Sequence, residues 1–318
     1  MRLFFSNEDY YYKAMTVLNG NCKRSLDRNK AYLLLLNGIS FKDLENLCME
    51  ISNRYHISVN DAYTYIQEGN PKISNDLLDI SYNLIDRGSY LGNNMINEGS
   101  INTSSWLSHS LYEARTCEIL ADKLNLDKDI AFNYGLLHDY GRKYSHNFSH
   151  VIKGFEELVD MGIRECRACL THSFINDGRF SNNEIPDVEV SYVDNKEQFT
   201  SEYDDLSKLL RNITYTDYDR ILNIADLMAS DRGILSPIDR IYDILSRRGD
   251  LDKAPNRVYF LTSFYNTLLW YLERINVKTD FNYLDSSKVT LEEIYNYLED
   301  MSNVFYRKIM SDHKVWKK

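Results

Sequence analysis

Apolar residues recur every three or four positions along most of the chain and strict alternation is rare, so the pattern predicts helices nearly throughout. Residues 7–18 and 28–37 read as two short helices. Ser40 is placed to cap FKDLENLCMEISNRY, whose Leu44, Leu47, Ile51 and Tyr55 share one face. Ser58, with Asp61 three positions on, makes a variant capping box that opens VNDAYTYIQEG, and Gly69 supplies the stop. A further helix is predicted over 75–86, and the Gly- and Asn-rich LGNNMINEGS at 91–100 marks a first boundary.

From Ser105 the predicted helices lengthen. Leu107, Leu111, Ala114, Cys117, Ala121 and Leu124 form the stripe of a packed helix. A second helix is predicted over 129–139, ended by Gly141; a third over 148–161, stopped by Gly162; and a fourth through IRECRACLTHSF. The polar stretch from Asn176 to Thr200 carries no helical stripe and is read as a lid. Helical patterning returns at 203–212 and 217–230, and RRGDLDKAPNR at 247–257 marks a second boundary. VYFLTSFYNTLLWYLERI and TLEEIYNYLEDMSNVFYRKIM then read as amphipathic helices. The expected architecture is all-α in three parts: a helical region over 1–95, a central block over 100–250, and helices over 251–318. The last group either packs on the central block or forms a homodimer contact.

Composition narrows the function classes. The chain has 318 residues with only 13 Gly and 4 Pro, sparse punctuation that fits helices. A formal net charge of −10 argues against coating nucleic acid, which needs clustered cations to displace counterions. Six of those ten excess charges lie between 176 and 220, where 11 acids meet 5 bases, which suits a small metabolite better than a strand. No apolar run near the start approaches a membrane span, and the opening MRLFFSNEDYYYK meets acids too early for a signal peptide. Five scattered cysteines make no disulfide framework, so the cytoplasm is the expected compartment.

The chemistry concentrates between 109 and 226. Five of the seven histidines fall between 109 and 172, and His109, the pair His138-Asp139, His150, His172 and Asp226 each sit on or at the end of a predicted helix. Imidazole and carboxylate are the usual ligands of Fe, Mn or Zn at a hydrolytic site. Neighbouring residues on a helix point about 100° apart, an arrangement that lets Asp139 bridge two ions while His138 binds one. Arg142 and Lys143 follow directly. Arg142 is read as a phosphate-binding cation in preference to a solvated helix end, and Lys143 fits either description. His146 is either a substrate contact and proton donor or a surface histidine. Cys166 and Cys169 are read as core, not ligands, and Arg232, Arg240 and Arg247 as ion-pair partners of nearby acids. Gly154, one turn after His150, serves a close helix contact or a ligand.

GLLHDYGRK at 135–143, with His109 before it and HVIKGFEEL, THSF and NIADLMA after it, resembles the HD superfamily of metal-dependent phosphohydrolases. The order His, His-Asp, His, His, Asp is similar to its six-ligand, dinuclear branch. The resemblance covers about 100–250 and implies the all-α HD bundle. It implies one divalent ion on His109, His138, Asp139 and Asp226, and a second on Asp139, His150 and His172. Fe or Mn come first, with Mg, Co, Ni or Zn open. It further implies that water activated by the two ions cleaves a small phosphorylated substrate, a nucleotide or dinucleoside polyphosphate, with Asp139, Arg142 and His146 in the chemistry and Arg142 and Lys143 on phosphate. Two alternatives stay open: a mixed-valent di-iron HD oxygenase with the same ligands, and a nucleotide-sensing binding module.

Overall fold

The computed structural model describes residues 5–92, 105–145, 149–175, 206, 209–210, 213–248 and 257–309. Within them the chain is all-α, with thirteen α-helices and no strand. No helix among the described residues is long and apolar enough to cross a membrane.

Five helices come first: α1 (Glu8–Leu18), α2 (Arg28–Leu36), α3 (Phe41–Tyr55), α4 (Val59–Glu68) and α5 (Pro71–Asp86). Their starts are set by local chemistry. Ser40 Oγ accepts the Asp43 N–H and Ser58 Oγ the Asp61 N–H, while Gly69 ends α4 at φ 68°. Helix α5 begins four residues before the expected Asn75. Asn70 accepts the Lys72 N–H, and Pro71 takes the first helical position, where its missing N–H costs nothing.

The central helices are α6 (Trp106–Lys123), α7 (Lys128–Leu137), α8 (Ser149–Asp160), α9 (Cys166–Thr171) and α10 (Asp217–Asp226). Helix α6 is the hub. Its first nine residues, Trp106–Ala114, are all buried, Ser108, His109 and Glu113 among them, and it packs along α7 and α10. Helix α7 stops at Leu137, short of the expected 139, and the chain tightens into a 3₁₀ turn over Tyr140–Lys143. Helix α9 is shorter than the twelve-residue motif suggested, because Arg164 is held outside it by a hydrogen bond from its N–H to Arg24 O. Helix α10 ends at Asp226, not Ser230: the chain turns back there, bridging Ala229 to Ile234. The expected lid at 176–200 lies outside the described residues, as do most of 203–212 and most of each interior boundary stretch.

Helices α11 (Pro237–Arg248), α12 (Arg257–Arg274) and α13 (Leu291–Ile309) complete the molecule. Tyr271 on α12 donates to Leu120 O of α6 at 2.8 Å. At the other end, Tyr82 of α5 donates to Leu111 O at 2.7 Å, and Asn133 of α7 reaches Leu26 O. Arg28 bridges Glu118 and Asp129 at 2.8 and 2.6 Å with its guanidinium 4.4 Å from the Phe132 ring centroid. Buried side chains from all three stretches join in one core.

A buried ion pair fixes α9 against α10. Arg167 Nε donates to both Asp219 oxygens at 2.9 and 3.0 Å, and its other nitrogens reach Leu18 O and Thr214 O. Asp219 also accepts from Thr171, Thr216 Oγ1 and the Thr216 N–H. With every lone pair and proton used, the pair avoids the penalty of an uncompensated buried charge.

Glu165, one residue before α9, is in the opposite situation. It is fully buried, its Oε1 accepts from Ser25 and its Oε2 has no partner. Burial raises its pKa above the ordinary carboxylate range, with Ser25 pulling back. An acid whose folded pKa is raised stabilises the fold fully below its unfolded pKa and loses that contribution as pH rises through the folded value. Glu165→Gln is therefore expected to stabilise the protein at pH 8 by on the order of 1 kcal/mol. The gain should fade toward pH 4. Thermal melts at the two pH values check this, and an equal effect at both would refute it.

Candidate metal centre

The five elements that meet around α6 bring six predicted residues into one buried cluster. His109 comes from the first turn of α6, His138 from the cap of α7, and Asp139 from the start of the 3₁₀ turn. His150 comes from the first turn of α8, His172 from the cap of α9, and Asp226 from the last residue of α10. Four are helix ends or caps, where a side chain projects inward without crossing a neighbouring turn.

Glycines permit the central approach. A Cβ on Gly141 would collide with the His150 carbonyl oxygen and stand 2.7 Å from Gly154 N, while one on Gly154 would meet Gly141 N at 2.9 Å and Cys169 Sγ at 3.1 Å. The pair therefore seats the 3₁₀ turn directly on α8, one turn from His150. This settles Gly154 as a helix-contact residue. Cys166 and Cys169 are free and fully buried, and Cys169 donates to Leu137 O, as a core role requires.

Asp139 is the centre of the geometry. Its Oδ1 lies 3.0 Å from His150 Nε2 and 3.6 Å from His172 Nε2, and its Oδ2 lies 3.3 Å from His138 Nε2 and 3.8 Å from His109 Nε2. Each oxygen thus faces one pair of imidazoles. Asp226 Oδ1 lies 3.3 Å from His109 Nε2. The ligand-type atoms fall into two groups, Asp139 with His150 and His172, and His109 with His138, Asp226 and Glu113.

The orientation of the rings is fixed from behind. His138 Nδ1 lies 2.7 Å from Gly135 O and His172 Nδ1 3.2 Å from Ala168 O. A ring N–H held by a carbonyl leaves the Nε2 lone pair facing inward, the arrangement of metal-binding histidines. Asn223 strengthens the frame by donating to Thr171 O and His172 O, which ties His172 to the helix that carries Asp226.

Protonation states follow from this packing. Burial would raise the Asp139 pKa, but the charges of Arg142 and His138 hold it well below the usual range. Burial would likewise raise the Asp226 pKa, but His109 outweighs it and holds the carboxyl below its ordinary range. His172 is pushed down to about 3 by burial, with His138 adding to it, and His109 is lowered by burial against the pull of Asp226. At neutral pH these are charged carboxylates and neutral imidazoles, the states a metal needs. His138 is the exception: burial lowers it, yet Asp139 outweighs that and raises it. Glu113 rises well above its ordinary value through burial, then through Asp226 and Asp139.

Buried polar atoms test whether a metal fits. His138 Nε2 and both Glu113 oxygens are buried without a hydrogen bond, although Glu113 Oε2 lies 3.1 Å from His138 Nε2, and Asp139 Oδ1 in the second ligand group is likewise buried and unpaired. Leaving such atoms unpaired is costly, and a cation among them removes the cost. The donor set fits divalent ions.

The remaining predicted residues are placed differently. Arg142 Nε donates to Asp139 Oδ2 at 2.5 Å, so the guanidinium first orients the carboxylate. Lys143 is not brought to the cluster. Its ammonium binds Glu157 at 2.8 Å and lies 3.9 Å from the Tyr140 ring centroid. His146 lies outside the described residues. Arg240 pairs with Asp243 at 2.5 Å, as its spacing predicts, and Arg232 is exposed. The Arg247 side chain is outside the described residues.

Sequence reasoning passed over Glu113, Asn223 and Ser173, whose hydroxyl lies 2.9 Å from His172 Nε2. Glu113 carried a signal: it stands four residues after His109, on the same face, among residues that are apolar or small.

No curated protein and no solved structure matches the chain. Residues 106–231, the span that supplies every member of both ligand groups, match the family model described as HD domain, a family composed mostly of metal-dependent hydrolases.

Proposed function

We propose that the protein is a metal-dependent phosphohydrolase of the six-ligand, dinuclear HD type. Its substrate would be a small phosphorylated molecule, a nucleotide or dinucleoside polyphosphate. The observation that carries the reading is Asp139: one carboxylate with each oxygen turned to a different pair of imidazoles. His109, His138, Asp139 and Asp226 would hold one ion, and Asp139, His150 and His172 the other, with Fe or Mn the first candidates. Divalent ions bound there supply an acidified water and positive charge for phosphoryl oxygens.

The chain's own residues do the rest. Arg142 fixes the rotation of Asp139, so the carboxylate presents both oxygens at once. The carbonyls of Gly135 and Ala168 hold two rings with Nε2 inward. Leu107, Leu111, Phe155 and Ile224 belong to a fully buried core around these elements, and such a dry wall strengthens each charge interaction inside it. Lys143, held on Glu157, would have to leave that pair to reach a phosphate.

The test is metal content of anaerobically purified protein, with phosphate release measured across a panel of mono-, di- and dinucleoside polyphosphates. Two equivalents of metal with phosphate release support the reading. A mixed-valent di-iron EPR signal with substrate-dependent O₂ uptake would replace it with the oxygenase. Metal-replete protein that binds nucleotides without cleaving them would replace it with a sensing module.

A further inference from the structure

Glu113 has no role in the six-ligand arrangement, yet it occupies the middle of the first ligand group. It is fully buried, and neither oxygen accepts a hydrogen bond. Its Oε2 lies 3.2 Å from His109 Nε2 and 3.1 Å from His138 Nε2, and one atom from each of His109, Glu113, His138 and Asp226 falls within 4.8 Å of all the others. Resting on the dinuclear reading above, we infer that Glu113 is a seventh metal ligand, which gives the first half of the centre two imidazoles and two carboxylates of its own beside the shared Asp139.

Two geometric facts separate a ligand from a carboxylate that merely steers a histidine. A steering carboxylate takes the N–H on the far side of the ring from the metal. On His138 that position is already taken by Gly135 O at Nδ1, and Glu113 meets the opposite edge. It meets the Nε2 edge of His109 as well. Spacing is the second fact. Ligand atoms about 2.1 Å from a common ion stand about 3.0 Å apart in an octahedral shell and about 3.4 Å apart in a tetrahedral one. The separations of 3.1, 3.2 and 3.3 Å among Glu113, His138, His109 and Asp226 fall in that interval.

The consequence is an asymmetric centre. The first half carries two carboxylates of its own, enough to neutralise a divalent ion, whereas the second has only Asp139, shared across both halves. The first half is therefore the tighter site, and Glu113 accounts for much of the difference.

The experiment is a Mn²⁺ titration of chelator-stripped full-length protein, wild type against Glu113→Gln, followed by calorimetry and by EPR of free Mn²⁺. Thermal melts are recorded with and without metal. Wild type is expected to take two equivalents with unequal affinity. Glu113→Gln is expected to weaken the tighter by roughly a hundred-fold or more and to leave the other within a few-fold. Without metal, Glu113→Gln should melt at or above the wild-type temperature, because a buried unpaired acid has gone, and its metal-induced rise in Tm should shrink. Unchanged affinity at both sites would overturn the assignment. So would a metal-free variant that melts well below wild type, since that marks a structural hydrogen-bonding role. If wild type itself binds no Mn²⁺, the dinuclear reading fails first, and that result is distinct from either of these.

Discussion

Asp139→Ala is expected to strip the protein of both metals and to lower any phosphohydrolase activity by roughly a thousand-fold or more. Both halves should be affected, because among the described residues Asp139 is the carboxylate that turns an oxygen to each pair of imidazoles. Losing an outer partner of a metal ligand already costs about 10–100-fold in affinity. Losing a ligand shared by two ions would remove a direct bond from each site. It also leaves Arg142 and His138 without their main counter-charge in a buried setting. Elemental analysis of the variant after desalting, beside circular dichroism to show that it folds, is the check. Cys166→Ala is the control, since Cys166 is a fully buried core residue that belongs to neither ligand group, and the variant should keep full metal content. Retained stoichiometry in Asp139→Ala would refute the bridging role.

Gly141→Ala is expected to destabilise the fold by about 3 kcal/mol or more, near the upper end of overpacking effects. The obstacle is backbone on both sides: the His150 carbonyl and Gly154 N leave no room for a methyl group, and no flexible side chain can yield. The 3₁₀ turn must then lift from α8. Because His150 belongs to that same turn of α8, its Nε2 moves away from Asp139, and the second ion should be lost before the first. Gly154→Ala is the graded comparison. Its nearest neighbours would stand at 2.9 and 3.1 Å, so the cost should be smaller, although still measurable. Urea unfolding of the three proteins, with Mn²⁺ binding measured on the folded fraction, decides the matter. A Gly141→Ala protein with wild-type midpoint and two bound ions would show that the contact is slack.

The helices were legible because their signals are local. A cap such as Ser40 or Ser58 acts on an N–H three residues away, and Gly69 or Gly162 acts on its own φ, so neither needs the rest of the chain. The same locality explains where the ends were missed. After α7 stops at Leu137 the chain enters a 3₁₀ turn whose Gly141 is seated on α8, and Arg164, just ahead of α9, is held by Arg24. Asn70-Pro71 was a local signal, simply passed over.

The centre divides along the same line. Ligand chemistry is carried by residue type, so His109, His138, Asp139, His150, His172 and Asp226 could be singled out as candidates from their types and helical settings, and the family resemblance supplied their division between two ions. What they face is set by how six separate elements pack, and only the tertiary structure decided it. A carboxylate such as Glu113 looks in sequence like any acid on a helix; it becomes a candidate ligand because the first half of α6 is wholly buried and two imidazole edges converge on it. Lys143 shows the reverse. Its position beside the His-Asp pair suggested phosphate, yet the turn that aims Arg142 at Asp139 sends Lys143 to Glu157. Neighbours in sequence diverge by about 120° per residue in a 3₁₀ turn, and the direction each side chain takes is fixed only when the turn is docked.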